Sequence, residues 1–106
     1  MRKLIKSILK NNVAEVRVLL ELAARASVDW RQEYEGVTPI YIAAYSGYVD
    51  VVKLLLEKGA DPNQENGDYG ATPVYAAVQE GHVEMVILLI ARGADVNMAR
   101  TDDGST

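Results

Sequence analysis

Residues 38–63 read TPIYIAAYSGYVDVVKLLLEKGADPN, and residues 72–97 read TPVYAAVQEGHVEMVILLIARGADVN. The two stretches match at a spacing of 34: Thr38-Pro39 falls on Thr72-Pro73, Gly47 on Gly81, Leu54-Leu55-Leu56 on Leu88-Leu89-Ile90, and Gly59-Ala60-Asp61 on Gly93-Ala94-Asp95. Gly36, Gly70 and Gly104 keep the same interval. Self-similarity at such a period is the mark of a repeat architecture. Each copy also reads physically. Thr38 and Thr72 are N-caps whose hydroxyl accepts an orphan backbone N–H. Pro39 and Pro73 follow at the first helical position, where a missing N–H costs nothing. The pattern predicts a short helix from Ile40 to Ser46, narrow at Ala43 and Ala44 and stopped by Gly47. A second helix is predicted from Val49 and again from Val83, with Asp50 and Glu84 set favourably against its dipole. Its residues Val51, Val52, Leu54, Leu55 and Leu56 are too many for one narrow stripe, so it must be covered on more than one side. Gly59 and Gly93 supply the left-handed residue beyond its end. The stretch from Asp61 to Ala71 is polar and rich in turn formers. A helix pair of this size cannot bury its own apolar faces. Stacking copies side by side does so, which predicts an all-α, quasi-linear solenoid.

Outward from the two full copies the pattern loosens. Asn12-Val13-Ala14-Glu15-Val16 through Leu19-Leu20 aligns with the second helix at a spacing of 35, with no Thr-Pro and with Arg25 where glycine is expected. The opening segment MRKLIKSILKNN reads as an amphipathic helix with Leu4, Ile5, Ile8 and Leu9 on one face. Arg2, Lys3, Lys6 and Lys10 suit a terminal unit whose outer side meets water. Lys6 and Lys10 also interrupt any signal-peptide core, and the longest apolar run, Met85 to Ala91, is far short of the ~20 residues of a membrane span. The expectation is a cytoplasmic protein. Thr106 stands where the next Thr-Pro helix would start, so the expectation is a fragment of a longer array or an end that something else covers.

These residues resemble the ankyrin-repeat family, whose pattern is TPLHxAA, then GH, a VVxLLL helix and GADVN. The resemblance covers the chain, strongly from Gly36 to Gly104 and loosely before. It implies a helix-turn-helix solenoid with β-turn or hairpin fingers and about three stacked units: a degenerate unit over 1–36, full units over 37–70 and 71–104, and the start of a further unit at 105–106. The family period is near 33; the extra residue here lies in the finger between Asp61 and Thr72. Tyr41 and Tyr75 stand where the family places the histidine of TPLH. Three units are about the fewest that stack stably.

Composition narrows the function. The 106 residues hold Lys+Arg 11 against Asp+Glu 15, a formal charge of -4, which argues against a general duplex-binding protein with a strongly basic face. Cysteine is absent and histidine occurs once, removing disulfides, thiolate metal sites and most general-base chemistry. His82 has only Glu80 and Glu84 near it in sequence, and the resemblance makes it the helix-junction histidine that bonds backbone. Asp61 to Gly67 suggests a calcium loop, but its sixth position is Asn66 and its twelfth Thr72, where Gly and a bidentate Glu are needed. Asp61 and Asn63 read better as side-chain-to-backbone bonders in a turn. Gly67 to Gly70 lacks a preceding strand for phosphate binding, and Ser46-Gly47 lacks a nucleophile elbow. Neither an enzyme nor a cofactor is expected.

The resemblance implies a rigid concave surface of finger tips and first helices that binds a protein or peptide. Position by position that gives Tyr34, Glu35, Val37, Tyr45 and Ser46, with Tyr48 beside them. The next unit gives Asp68, Tyr69, Ala71, Gln79 and Glu80, and the last finger Asp102 and Asp103. Tyrosines are enriched at interfaces, and the acids outnumber Arg31 and Arg100 here, so a partner segment bearing Lys or Arg would be steered to this face. Two alternatives stand beside it: a structural or engineered solenoid fragment without a dedicated ligand, and nucleic-acid contact through Arg2, Lys3, Lys6 and Lys10. Ile87, in the place of Lys53, is expected to point outward. With an uncovered last unit it could form a self-association patch on an otherwise monomeric protein. Trp30 reads either as a contact anchor or as packing beneath Arg25.

Overall fold

The computed structural model describes residues 2–32, 34, 36–67 and 70–96. Among them lie six helices: α1 (Arg2–Leu9), α2 (Val13–Arg25), α3 (Pro39–Ser46), α4 (Val49–Glu57), α5 (Pro73–Gln79) and α6 (Val83–Ala91). They form three antiparallel pairs. The first helices α1, α3 and α5 pack in one row, and the second helices α2, α4 and α6 in another. The local chemistry accounts for the boundaries. Thr38 and Thr72 hydroxyls accept the backbone N–H of Tyr41 and Tyr75, each at 3.3 Å, and proline opens both helices. Gly47 and Gly81 stop them at φ 79° and 75°. One continuous core runs through the stack, from Leu4, Ile8, Val16 and Leu20 through Ile40, Val51 and Leu55 to Val74, Met85 and Leu89.

The first unit departs from the sequence expectation in three ways. Arg25 is not at the glycine position: α2 continues to Arg25, and Ser27, at φ 58°, takes the left-handed place that Gly59 and Gly93 hold elsewhere. The helix has 13 residues against 9 in α4 and in α6, an excess of about one turn. The chain then closes identically in all three units, with Val28, Ala60 and Ala94 N–H groups donating to the carbonyls of Ala23, Leu55 and Leu89 at 2.9 Å. In α1, Leu4 and Ile8 are buried as expected, but Leu9 is exposed and Ser7 is buried instead. The reason is polar: the Ser7 hydroxyl donates to the carboxylate of Glu15 on α2, tying the two helices together. Trp30 resolves to the core, 7% exposed.

Side chains stitch each unit to the next through backbone carbonyls. The Tyr48 hydroxyl donates to the Leu9 carbonyl at 3.3 Å. In the next unit His82 does the same, its Nε2–H donating to the Tyr45 carbonyl at 2.9 Å; a carbonyl only accepts, which fixes the tautomer. Past the second helices, Arg31 donates to the Gly59 carbonyl at 3.3 Å. Asn63 repeats this bond with more grip: its Nδ2 donates to the Gly93 carbonyl at 3.0 Å, and its Oδ1 accepts the Asp95 N–H at 2.7 Å. Asn66 Oδ1 accepts the buried N–H of Thr38 at 2.6 Å, so the second finger also satisfies the start of α3.

Candidate functional site

Each finger is a tight reversal pinned by one antiparallel bridge. Tyr34 and Val37 exchange both backbone hydrogen bonds, at 2.7 and 3.1 Å, and Asn66 pairs with Ala71. The bridges leave the chain at Thr38 and Thr72, so each finger stands directly before a first helix. Gly36, at φ 82°, occupies the turn between Tyr34 and Val37, in a backbone region that glycine enters without strain.

The expected site residues divide into four groups. Tyr45, 42% exposed, and the exposed Gln79 and Glu80 lie in the last turn of α3 and at the end of α5. Tyr45 is steadied by Tyr41 one turn back, with stacked rings whose centroids are 6.2 Å apart. Tyr34, Val37 and Ser46 are half-buried. Two further residues carry contacts within the fold. Tyr48 is half-buried with its hydroxyl bonded to Leu9, so it is an inter-unit tether, and Ala71 is buried in the bridge to Asn66. Glu35, Asp68, Tyr69, Asp102 and Asp103 lie outside the described residues.

Arg2, Ile5 and Lys6 of α1 join Tyr34 and Val37 around an open cleft of about 300 Å³. Sequence reasoning treated the α1 cations only as a terminal face or a nucleic-acid contact, and so missed their place beside the first finger. The signal was available. Aligning Asn11, at φ 53°, with Gly47 sets α1 in register with α3 at a spacing of 36, which puts Ile5 on Tyr41 and Leu9 on Tyr45. The earlier alignment began only at Asn12.

His82 Nε2 is committed to Tyr45. Asp61 accepts the Asn63 N–H at 2.8 Å, as its turn role required. No group of three metal-ligating side chains occurs among the described residues. Ahead of the first finger, Asp29 and Arg31 perturb one another electrostatically. Side-chain hydrogen bonds from Arg31, with Nε at 3.0 Å, and from Gln32, at 2.9 Å, hold the Asp29 carboxyl well below the usual carboxylate range. Asp29 in turn raises the Arg31 pKa. The pair is solvent-exposed and shapes a turn.

Comparison with known proteins bears on the whole chain. The family model for ankyrin repeats in three copies matches residues 3–66, and that for a single ankyrin repeat matches residues 69–102. The chain is 43% identical over 61 residues to the 2-5A-dependent ribonuclease of Mus musculus, covering 58% of this chain and 8% of that protein. It is 37% identical over 67 residues to the putative ankyrin repeat protein FPV222 of Fowlpox virus (strain NVSL), covering 63% and 9%. With ankyrin repeat domain-containing protein 49 of Drosophila melanogaster it shares 38% over 61 residues, covering 58% and 27%. The chain thus spans only a small part of the length of each of these relatives.

Proposed function

The chain belongs to the ankyrin-repeat family, a non-catalytic interaction fold, and on that premise we propose that it binds a protein or peptide along the fingers and first helices. The observation that carries this reading is the repeated placement of Tyr45 and Gln79, 34 residues apart, on the open side of successive first helices whose backbones are fixed by interlocking bonds. A surface ordered before binding loses little entropy on association. Tyr45 supplies a rigid aromatic anchor of the kind enriched in interfaces. Around it the charge is divided. Arg2 and Lys6 flank the first finger, and the exposed Glu65 and Glu80 lie towards the later units. The sequence carries further acids at Glu35, Asp68, Asp102 and Asp103. A partner carrying a Lys- or Arg-bearing segment fits these acids.

The test is capture of partners from a lysate by the wild-type chain and by two variants. Tyr45→Ala should weaken a captured partner's affinity about tenfold or more, the range of an interfacial aromatic. The triple variant Glu35→Lys, Asp68→Lys, Asp103→Lys should slow association and flatten its salt dependence. Equal binding by all three proteins would end the proposal.

A second reading has one specific observation behind it. Arg2, Lys3, Lys6 and Lys10 converge with Glu15 on an open cleft of about 460 Å³, a suitable place for phosphates. Retention on nucleic acid that falls steeply with salt, and disappears when those four cations are replaced, would favour it.

A further inference from the structure

The positive charge of the chain is gathered in its first helix pair. Residues 1–27 hold six of the 11 Lys and Arg residues and two of the 15 acids, Glu15 and Glu21. The formal charge of that stretch is +4, against -8 for the rest, where five cations face 13 acids. Arg2, Lys3 and Lys6 lie on α1 and Lys10 directly after it. All four border the cleft of about 460 Å³ that they share with Glu15. A cluster of this density on an amphipathic helix is the pattern that anionic lipid headgroups attract.

The face continues from α1 onto α2. Glu15, Val18 and Leu22 follow one another at the three- and four-residue spacings that place side chains on one side of a helix. The side that Glu15 turns to the cleft therefore carries two aliphatic residues beyond it, Val18 at 54% and Leu22 at 55% exposed. Arg25 ends the same row. Aligning the caps Asn12, Tyr48 and His82 shows what this face replaces. Glu15 stands where Val51 and Met85 are fully buried, and Val18 where Leu54 is buried. Lys6 stands in the place of the half-buried Ile42 and the fully buried Ala76. Positions that are apolar and covered in the later pairs are charged or open here, so this side suits a wet, charged neighbour.

We propose that this face of α1 and α2 docks reversibly on an anionic lipid surface. Leu4 and Ile8 are committed to the core, so α1 stays in the stack and offers the bilayer its charged side. The cations meet lipid phosphates and carboxylates, while Val18 and Leu22 reach the boundary between headgroups and acyl chains. Net of Glu15, three charges at ~1 kcal/mol each favour an anionic over a neutral surface roughly a hundredfold. The acidic units do not cancel this attraction. The molecule is 40 Å long, and the surface potential fades within a Debye length, about 8 Å at physiological ionic strength. Nucleic acid fits the face less well, because Val18 and Leu22 give nothing to its phosphates. The face is also separate from the finger surface: Lys3, Lys10, Val18 and Leu22 line no part of the cleft beside Tyr34 and Val37.

The experiment is co-sedimentation of the chain with vesicles of phosphatidylcholine alone and of phosphatidylcholine mixed with phosphatidylserine, at low and physiological salt. Retention is expected on the phosphatidylserine vesicles only, and it should fall as salt rises. Lys3→Gln with Lys10→Gln should weaken it about thirtyfold, at ~1 kcal/mol per cation. Val18→Gln with Leu22→Gln should weaken it about threefold or more. Glutamine is a good helix former, so both variants should keep the far-UV circular dichroism of the wild type. Equal retention on the two kinds of vesicle, no retention on either, or retention indifferent to either pair of substitutions overturns the proposal. So does tighter binding to a duplex oligonucleotide that survives Val18→Gln with Leu22→Gln, which would give the face to nucleic acid.

Discussion

The first and third helix pairs are built on one plan with almost no shared side chains at the points that matter. Where the third pair is tied to its neighbour by His82, the second is tied to the first by Tyr48. Where Asn63 grips the third unit with two bonds, Arg31 grips the second with one. Ser27 serves for glycine at a left-handed position and Asn11 for another. The common element is the backbone target: each substitute reaches the same carbonyl or adopts the same sign of φ. The outward helices differ in kind. The exposed arc of α2 sets Val18 and Leu22 among Arg17, Glu21 and Arg25, whereas that of α6 carries Val83, Ile87 and Ile90 with Glu84 as its only charge. A repeat is thus defined by its bonds to its neighbours, and its outer surface by whether charge interrupts the apolar side chains.

The largest break in this picture should come from the middle unit, which is covered on both sides. Leu55 is fully buried, and Leu55→Ala removes packing shared with both flanking pairs. A cost of about 2–5 kcal/mol is expected, against a total near 5–15 kcal/mol for a domain. Urea denaturation followed by far-UV circular dichroism should show one transition displaced as a whole; loss of one pair with the others intact would show that the units do not fold together. The inequality of the two grips gives a smaller and sharper contrast. Asn63→Ala should cost about 1–3 kcal/mol, because it also leaves the Asp95 N–H without its acceptor, and Arg31→Ala about 0.5–1.5 kcal/mol. Equal losses in the same denaturation experiment would refute the idea that the later junction is the tighter one.

Smaller still is Tyr48→Phe, which keeps the ring and removes only the hydroxyl bond to Leu9. It should cost about 0.5–1.5 kcal/mol and leave partner capture unchanged, whereas reduced capture with unaltered stability would return Tyr48 to the binding surface. The least effect belongs to Asp29. Its folded pKa is depressed from the ordinary 3.8 by Arg31 and Gln32. Any stability it lends is therefore complete above the ordinary value and disappears only as the pH falls through the lower, folded one. Carboxyl chemical shifts should show Asp29 titrating below the ordinary 3.8, and Arg31→Ala should restore an ordinary midpoint. A midpoint already ordinary in the wild type would discard the turn network.

How much of this was legible in the sequence follows from how local each signal is. Caps, prolines and left-handed glycines act within a few residues, so the boundaries of α3 to α6 could be read directly. The role of Asp61 with Asn63 was readable for the same reason. The first unit was obscured because its left-handed positions are filled by Asn11 and Ser27 and its second helix is longer, so no single spacing aligns both ends. Long-range bonds were less visible still. Nothing adjacent to Tyr48 signals that its hydroxyl meets Leu9, and a tyrosine near a presumed surface looks like a contact residue until that carbonyl is in view. The burial of Ala71 was hidden similarly, since it depends on the finger pairing with Asn66. Arg2 and Lys6 were read for their charge, and their nearness to Tyr34 followed only once α1 was set in register with α3.

The lengthened α2 limits which insertions this kind of molecule can absorb. Each residue added to a helix rotates everything beyond it by about 100°. A single extra residue would swing Leu20 away from the centre of the stack, and two would turn it nearly to the opposite side. Four return the pattern to within about 40° of its starting direction, an error that side-chain torsions can take up. Growth of the second helices should therefore proceed in steps of three or four residues, leaving an overhang of about 5–6 Å per step, while the finger between Asp61 and Thr72, which has no such phase to keep, can lengthen one residue at a time.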